Sequence, residues 1–225
     1  MRLFKFATCF AAVAAIALVS NVQGQNLLGN SSFESPLLPL AAPSVNGNFA
    51  PFTGSSGGPI PVDPVPTTTN PLTGAQSLEI AFAGEGAAFS GVQQSVFGLA
   101  AGTPVTLTVN AVSDGGNLGV NAEFRIEYLD AVGGFLGGGQ FANNDDFTNS
   151  LSNTFTTFTQ TSLVPAGTFE TRAVLAGQSF GGGVEGSTDD IGTVFFDDIN
   201  LVPEPSALGM LALGIAGVAS RRRRR

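Results

Sequence analysis

Side chains able to do chemistry are scarce in this chain of 225 residues. It has no His and no Trp, one Cys (Cys9) and one Tyr (Tyr128). A Ser–His or Cys–His nucleophile is therefore impossible, as is a zinc site built on His and Cys. Hydroxyls and carboxylates remain. Paired carboxylates can hydrolyse glycosides, and carboxylates with carbonyl oxygens can hold Ca²⁺. Asp197 makes the strongest demand on its surroundings. In Val194-Phe195-Phe196-Asp197-Asp198-Ile199-Asn200-Leu201 it shares strand parity with Phe195, Ile199 and Leu201. If those face a core, so does its charge, and a buried carboxylate without a partner is costly. Calcium would satisfy it; so would neighbouring backbone N–H groups, and a solvent-exposed edge would remove the problem. Asn143-Asn144-Asp145-Asp146 and Asp189-Asp190 lack EF-hand spacing and read as turns. Gly133-Gly134, Gly137-Gly138-Gly139 and Gly181-Gly182-Gly183 lack the Lys-Ser/Thr of a phosphate loop and read as loops.

Two segments of different character bracket the elements that would position these groups. Arg2 and Lys5 precede an apolar run from Phe6 to Val19, and Val22-Gln23-Gly24 puts small or modest residues at positions −3 and −1. That order is a secretory signal, residues 1–24, with cleavage before Gln25. At the other end, Val202-Pro203-Glu204-Pro205 leads into an apolar segment, 206–220, and then Arg221, Arg222, Arg223, Arg224 and Arg225. As a transmembrane helix these fifteen residues would reach about 22 Å, where a stable span usually needs roughly 20 residues. The arginines would hold its end on the cytoplasmic side. A marginal span with an electrostatic stop suits a transient inner-membrane anchor that a membrane enzyme later cuts.

Pro203-Glu204-Pro205, the Ala/Gly/Leu segment and the terminal arginines resemble the PEP-CTERM sorting signal, over residues 203–225. The resemblance implies recognition by an exosortase-type membrane protease in a Gram-negative-type bacterium. It also implies residence at the cell surface or in the extracellular matrix, in association with exopolysaccharide and biofilm.

Without the two ends, residues 25–202 keep Arg125 and Arg172 as their only basic residues against sixteen acidic ones, a net charge of about −14. Such a surface repels nucleic acid and favours solubility and cation uptake. The same cut removes the only Cys and excludes a disulfide framework. Sixteen Phe remain to build a core, in a length that suits one domain.

Residues 35–73 hold nine of the 13 prolines and read as an extended excursion over the surface, with a short strand near Phe49 to Phe52. It is a covering loop or spacer, or a carrier of ligand-binding loops. Period-two alternation then takes over, in Ser77 to Phe82, Val105 to Val109, Phe124 to Tyr128, Thr154 to Leu163, Phe169 to Leu175 and Thr193 to Leu201. Gly, Asn and Asp clusters separate these runs. The pattern predicts many antiparallel strands with one buried face each: an all-β sandwich over residues 25–202.

The runs Asn26 to Glu34, Gly74 to Leu78, Val92-Gln93-Gln94, Leu99 to Val109 and Val194 to Leu201 together resemble galactose-binding-domain-like jelly rolls. The resemblance implies an opening strand at Asn26 to Glu34 beside a closing strand at Val194 to Leu201. It also implies a structural calcium site near them at Glu34 and Asp197, with Asp198 as alternate. Many such domains bind carbohydrate; others are structural or adhesive. Sugar rings stack most often on Trp or Tyr, and this domain has one Tyr. The expectation is therefore a non-enzymatic structural or adhesive surface protein, ahead of a carbohydrate-binding module and of a two-carboxylate glycosidase.

Overall fold

The computed structural model describes residues 24–40, 47–55, 59–84, 87–114, 120–136, 144–146, 151–178 and 191–204. Most of the expected signal peptide, Pro205, the segment 206–220, Arg221 to Arg225, Asn143, Asp189-Asp190 and the glycine runs at 137–139 and 181–183 lie outside the described residues. No helix among the described residues is long and apolar enough to cross a membrane.

Among the described residues ten strands form in the order β1 (Ala50–Ser55), β2 (Val65–Thr67), β3 (Ser77–Ala83), β4 (Ala88–Phe97), β5 (Pro104–Ser113), β6 (Asn121–Leu129), β7 (Asn144–Asp146), β8 (Thr156–Leu163), β9 (Glu170–Gln178) and β10 (Ile191–Pro203). They build two five-stranded sheets, β1-β4-β9-β6-β7 (sheet A) and β2-β3-β10-β5-β8 (sheet B). Every pairing among these strands is antiparallel. This is the β-sandwich that the alternation predicts and the jelly roll that the resemblance implies.

The alternation places the core between the sheets. Ala122, Phe124, Ile126 and Tyr128 of β6 meet Leu78, Ile80 and Phe82 of β3 and Val105, Leu107 and Val109 of β5 in one cluster, closed by Phe33, Phe49 and Phe196. Each fully buried Leu, Ile or Phe side chain contributes about 1.5–3 kcal/mol.

Several expectations need correction. Asn144-Asp145-Asp146, read from the sequence as a turn, is strand β7 and pairs with β6. The proline-rich region is more than a cover: β1 is one edge of sheet A and β2 one edge of sheet B. Two of its prolines, Pro51 and Pro66, sit on edge strands, where a missing N–H is tolerated. The segment Asn26 to Glu34 is not a regular strand. It follows β10 through separate rungs instead: Leu27 N–H donates to the Leu201 carbonyl (2.9 Å) and Ile199 N–H to the Ser31 carbonyl (2.9 Å). The Asn26 side chain replaces a third rung, donating to the Ile199 carbonyl (2.8 Å) and accepting from Leu201 N–H (2.9 Å).

The irregularity comes from β10, whose register shifts between Asp197 and Asn200. Asp198 adopts a left-handed conformation there, φ 49°, which Asp tolerates better than most residues. The bulge swaps parity: Val194 and Phe196 face the core before it, Ile199 and Leu201 after it. Asp197 is buried, but on the opposite side of β10 from those residues, so equal parity along the run was not a guide to its direction.

Candidate functional site

The outer face of sheet A carries a cleft of about 360 Å³. Its floor is built by cross-strand pairs of Phe and Gly. Phe52 stands opposite Gly91 and Phe89 opposite Gly54 in the β1–β4 ladder. A Cβ on Gly91 would run into the Phe52 ring, and one on Gly54 into Phe89. Each glycine thus lets an aromatic ring lie across the sheet. The two rings sit 6.2 Å apart at 42°.

Beside them runs a polar ladder on β9 and β6. Glu123, Arg125 and Glu127 share the face of β6 opposite Phe124 and Ile126, so alternation sends all three into the cleft. Arg125 is fastened between the two glutamates: its terminal nitrogen pairs with Glu123, and its Nε donates to Glu127 Oε1 at 2.7 Å. Gln178 donates to the other oxygen of Glu123 (3.1 Å). Arg172 lies 4.0 Å from Glu127 and donates through Nε to Glu170 (2.5 Å), which also accepts from Ser95 Oγ (2.5 Å).

Burial alone would raise the Glu170 carboxyl, but the bonds from Arg172 and Ser95 and the Arg172 charge outweigh it and hold it below its ordinary value. Glu123 and Glu127 are only 2 % and 5 % exposed, which ionised carboxylates sustain when paired. Phe135 closes one rim. The Asp130 carboxylate shapes the turn before it by accepting from Val132 N–H (2.9 Å) and Gly134 N–H (2.8 Å).

Aromatic faces beside fixed acceptors and donors can stack on the apolar face of a sugar ring and hydrogen-bond its hydroxyls. Sequence reasoning assigned the phenylalanines to the core and missed this site. A signal was present: Glu123, Arg125 and Glu127 share one parity, and this ladder holds both basic residues of the domain. Tyr128, the one tyrosine, is buried in the core cluster and takes no part.

The carboxylates expected at a metal site lie elsewhere, around the loop before β3. Asp197 Oδ2 accepts from Leu72 N–H (2.8 Å) and Thr73 N–H (2.8 Å), and Oδ1 from Asp198 N–H (2.7 Å). Burial pushes the Asp197 carboxyl up, against the pull of these three bonds. Glu34 Oε1 accepts from Ala75 N–H (2.8 Å) and Gln76 N–H (3.0 Å) of the same loop. The Asp198 carbonyl accepts from Asn110 and Asn200. Glu34 and Asp197 are thus brought to one loop, but as acceptors for backbone donors. Those donors satisfy Asp197 Oδ1 and Oδ2 and Glu34 Oε1 without a cation. No group of three or more acidic residues among the described ones is arranged to hold a metal.

Two residues of the sorting triplet continue the fold. Pro203 pairs with Val105 at the end of β10, Glu204 N–H donates to the Pro104 carbonyl (2.8 Å), and Thr106 Oγ1 donates to the Glu204 carboxylate (2.6 Å).

Solved structures share this fold. A bacteriophage CBA120 tailspike enzymatically active domain matches at TM-score 0.56 and 15 % identity, over 79 % of this chain and 21 % of that one, so the chain spans about a fifth of its length. A protein from Bacteroides thetaiotaomicron matches at TM-score 0.52 and 15 % identity, over 80 % of this chain and 100 % of its own. The CBM22-1 xylan-binding domain from Paenibacillus barcinonensis matches at TM-score 0.50 and 15 % identity, over 82 % and 98 %. No curated protein sequence matches the chain. A family model, the PEP-CTERM protein-sorting motif, matches residues 201–225. The chain therefore carries a PEP-CTERM sorting motif behind a jelly-roll β-sandwich.

Proposed function

We propose that the domain is a non-enzymatic, exported adhesive protein that binds polysaccharide chains in the cleft of sheet A. An exosortase-type protease processes its tail after transient inner-membrane anchoring. It then resides at the surface or in the matrix of a Gram-negative-type bacterium and contributes to biofilm. The sorting motif supports export. The observation that carries the binding reading is the Phe52–Phe89 floor set against the Arg125 ladder. A glycan array followed by titration calorimetry on the purified protein tests it. Phe89→Ala should weaken binding of the best glycan by about ten- to a hundredfold, the loss of one stacking face. Absence of binding across the array, or binding unchanged by Phe89→Ala, refutes the assignment.

A second reading, a two-carboxylate glycosidase, draws on the presence of Glu123 and Glu127 in one cleft. Their attachment to a single guanidinium weighs against it, since both are held in a static ion pair. Turnover of any polysaccharide that Glu127→Gln abolishes would reverse the order of the two readings.

A further inference from the structure

Sheet edges are sites of unintended pairing, and the described edges of this sandwich differ sharply in how they are protected. β1 carries Pro51 and Gly54, β2 is three residues with Pro66 at its centre, and β7 is Asn144-Asp145-Asp146, three residues with two charges. Short length, proline and charge are the usual devices against edge-to-edge association. The fourth edge, β8, has none of them. Thr156-Thr157-Phe158-Thr159-Gln160-Thr161-Ser162-Leu163 is eight residues long without charge, Pro or Gly. It pairs with β5 over all eight positions without a bulge.

The direction of its backbone groups follows from the residue after it. Val164 N–H donates to the Thr103 carbonyl (3.0 Å), and the Val164 carbonyl accepts from Gly102 N–H (2.8 Å). In an antiparallel ladder, alternate residues turn both groups to the same side. Those of 156, 158, 160 and 162 therefore face β5, and those of Thr157, Thr159, Thr161 and Leu163 face outward. These four residues are also the exposed ones.

We propose that β8 pairs with β8 of a second copy of this chain, antiparallel, with Thr159 on the two-fold axis. Three observations select that occupant. The outward residues form a near-palindrome about Thr159: the register sets Thr157 against Thr161 of the partner copy, Thr159 against itself, and Leu163 against Phe155. Thr–Thr pairs already work in this sheet, since Thr106 bonds Thr161 at 2.8 Å across β5 and β8. Two domains at about −14 repel one another, yet residues 151–169 carry no charge, so the copies meet where repulsion is weakest. A two-fold contact of this kind closes on itself and yields a dimer with one continuous ten-stranded sheet.

The test uses the full chain purified in mild detergent, with Cys9 replaced by Ser. Sedimentation velocity should show a monomer–dimer equilibrium that strengthens with added NaCl, as salt screens the acidic domains. Thr159→Lys puts two like charges face to face on the axis and should weaken dimerisation by about tenfold or more. Thr159→Cys should form a dimer disulfide under mild oxidation, because directly opposed residues lie about 5.5 Å apart, within disulfide reach. Thr161→Cys should not, since its two copies would be about 14 Å apart. A monomer at every concentration overturns the proposal, as does a dimer indifferent to Thr159→Lys or cross-linking at 161 in place of 159.

Discussion

Removal of the Asp197 carboxylate separates two accounts of how the loop before β3 is held. The side chain is fully buried and accepts three backbone hydrogen bonds, two of them from Leu72 and Thr73 across more than 120 residues of sequence. A bond to a charged acceptor is worth about 1.5–3 kcal/mol net. Leu72 and Thr73 are exposed enough for water to take over part of their share. Asp197→Ala should thus cost about 3 kcal/mol, not the full sum of three bonds. For a domain of this size that is a fall in Tm of roughly 6–12 °C. Asp197→Asn should fall between, since an amide keeps one acceptor but presents a donor to Asp198 N–H.

Thermal unfolding followed by circular dichroism, with and without a chelator, is the assay. On the present reasoning the wild-type Tm is indifferent to chelator, because backbone N–H donors already satisfy the buried Asp197 carboxylate. A chelator-induced fall in Tm that Glu34→Ala abolishes would refute this reasoning and establish the calcium site that the jelly-roll resemblance implies.

Three further outcomes follow from the same geometry. Arg125→Met should destabilise the domain by about 3–5 kcal/mol at neutral pH, because it removes the guanidinium that two buried carboxylates share; adding Glu123→Gln and Glu127→Gln should recover much of that in denaturant titrations. Acid should expose opposite signs at two carboxyls. The native Glu170 group lies below its ordinary value, so its contribution is present above that value and lost as pH falls through the native one. The native Asp197 group is raised, so protonation on acidification favours the folded state. A pH series of unfolding free energies should accordingly flatten on its acid limb in Glu170→Gln and steepen in Asp197→Asn. Gly91→Val should be poorly tolerated, since its side chain would strike the Phe52 ring and the Leu175 carbonyl. Its Tm should fall and glycan binding should go with it, whereas Phe52→Ala with Gly91 retained should lose binding alone.

Much of the fold was legible because period two is a direct record of burial on one face. Phe124-Arg125-Ile126-Glu127-Tyr128 and Val105-Thr106-Leu107-Thr108-Val109 each became a strand with the expected face inward. The direction of Asp197 was not legible. It depends on a one-residue register shift at a left-handed Asp198, and alternation carries no mark of such a shift. The expectation of a strand at Asn26 to Glu34 comes from the jelly-roll resemblance and not from alternation. The bulge it follows prevents a regular ladder, and Asn26 completes the pairing with its side chain. The Phe52–Phe89 floor was hidden for another reason. An outward Phe looks like a core Phe until its cross-strand partner is known to be glycine, and pairing across strands is a property of topology.

The position of β10 also orders events in time. It is the last of the described strands to be made, and it lies at the centre of sheet B between β3 and β5. Until residues 191–203 arrive, β3 and β5 lack their common neighbour, and Asn26 lacks partners 173 and 175 residues downstream. Closure over such distances is slow and comes late. The strand that completes the sandwich ends in Pro203, with Glu204 fastened to Thr106 beyond it. Delivery of the last structural strand and delivery of the sorting triplet are therefore one event, and a chain that reaches the sorting stage has just gained the means to finish folding.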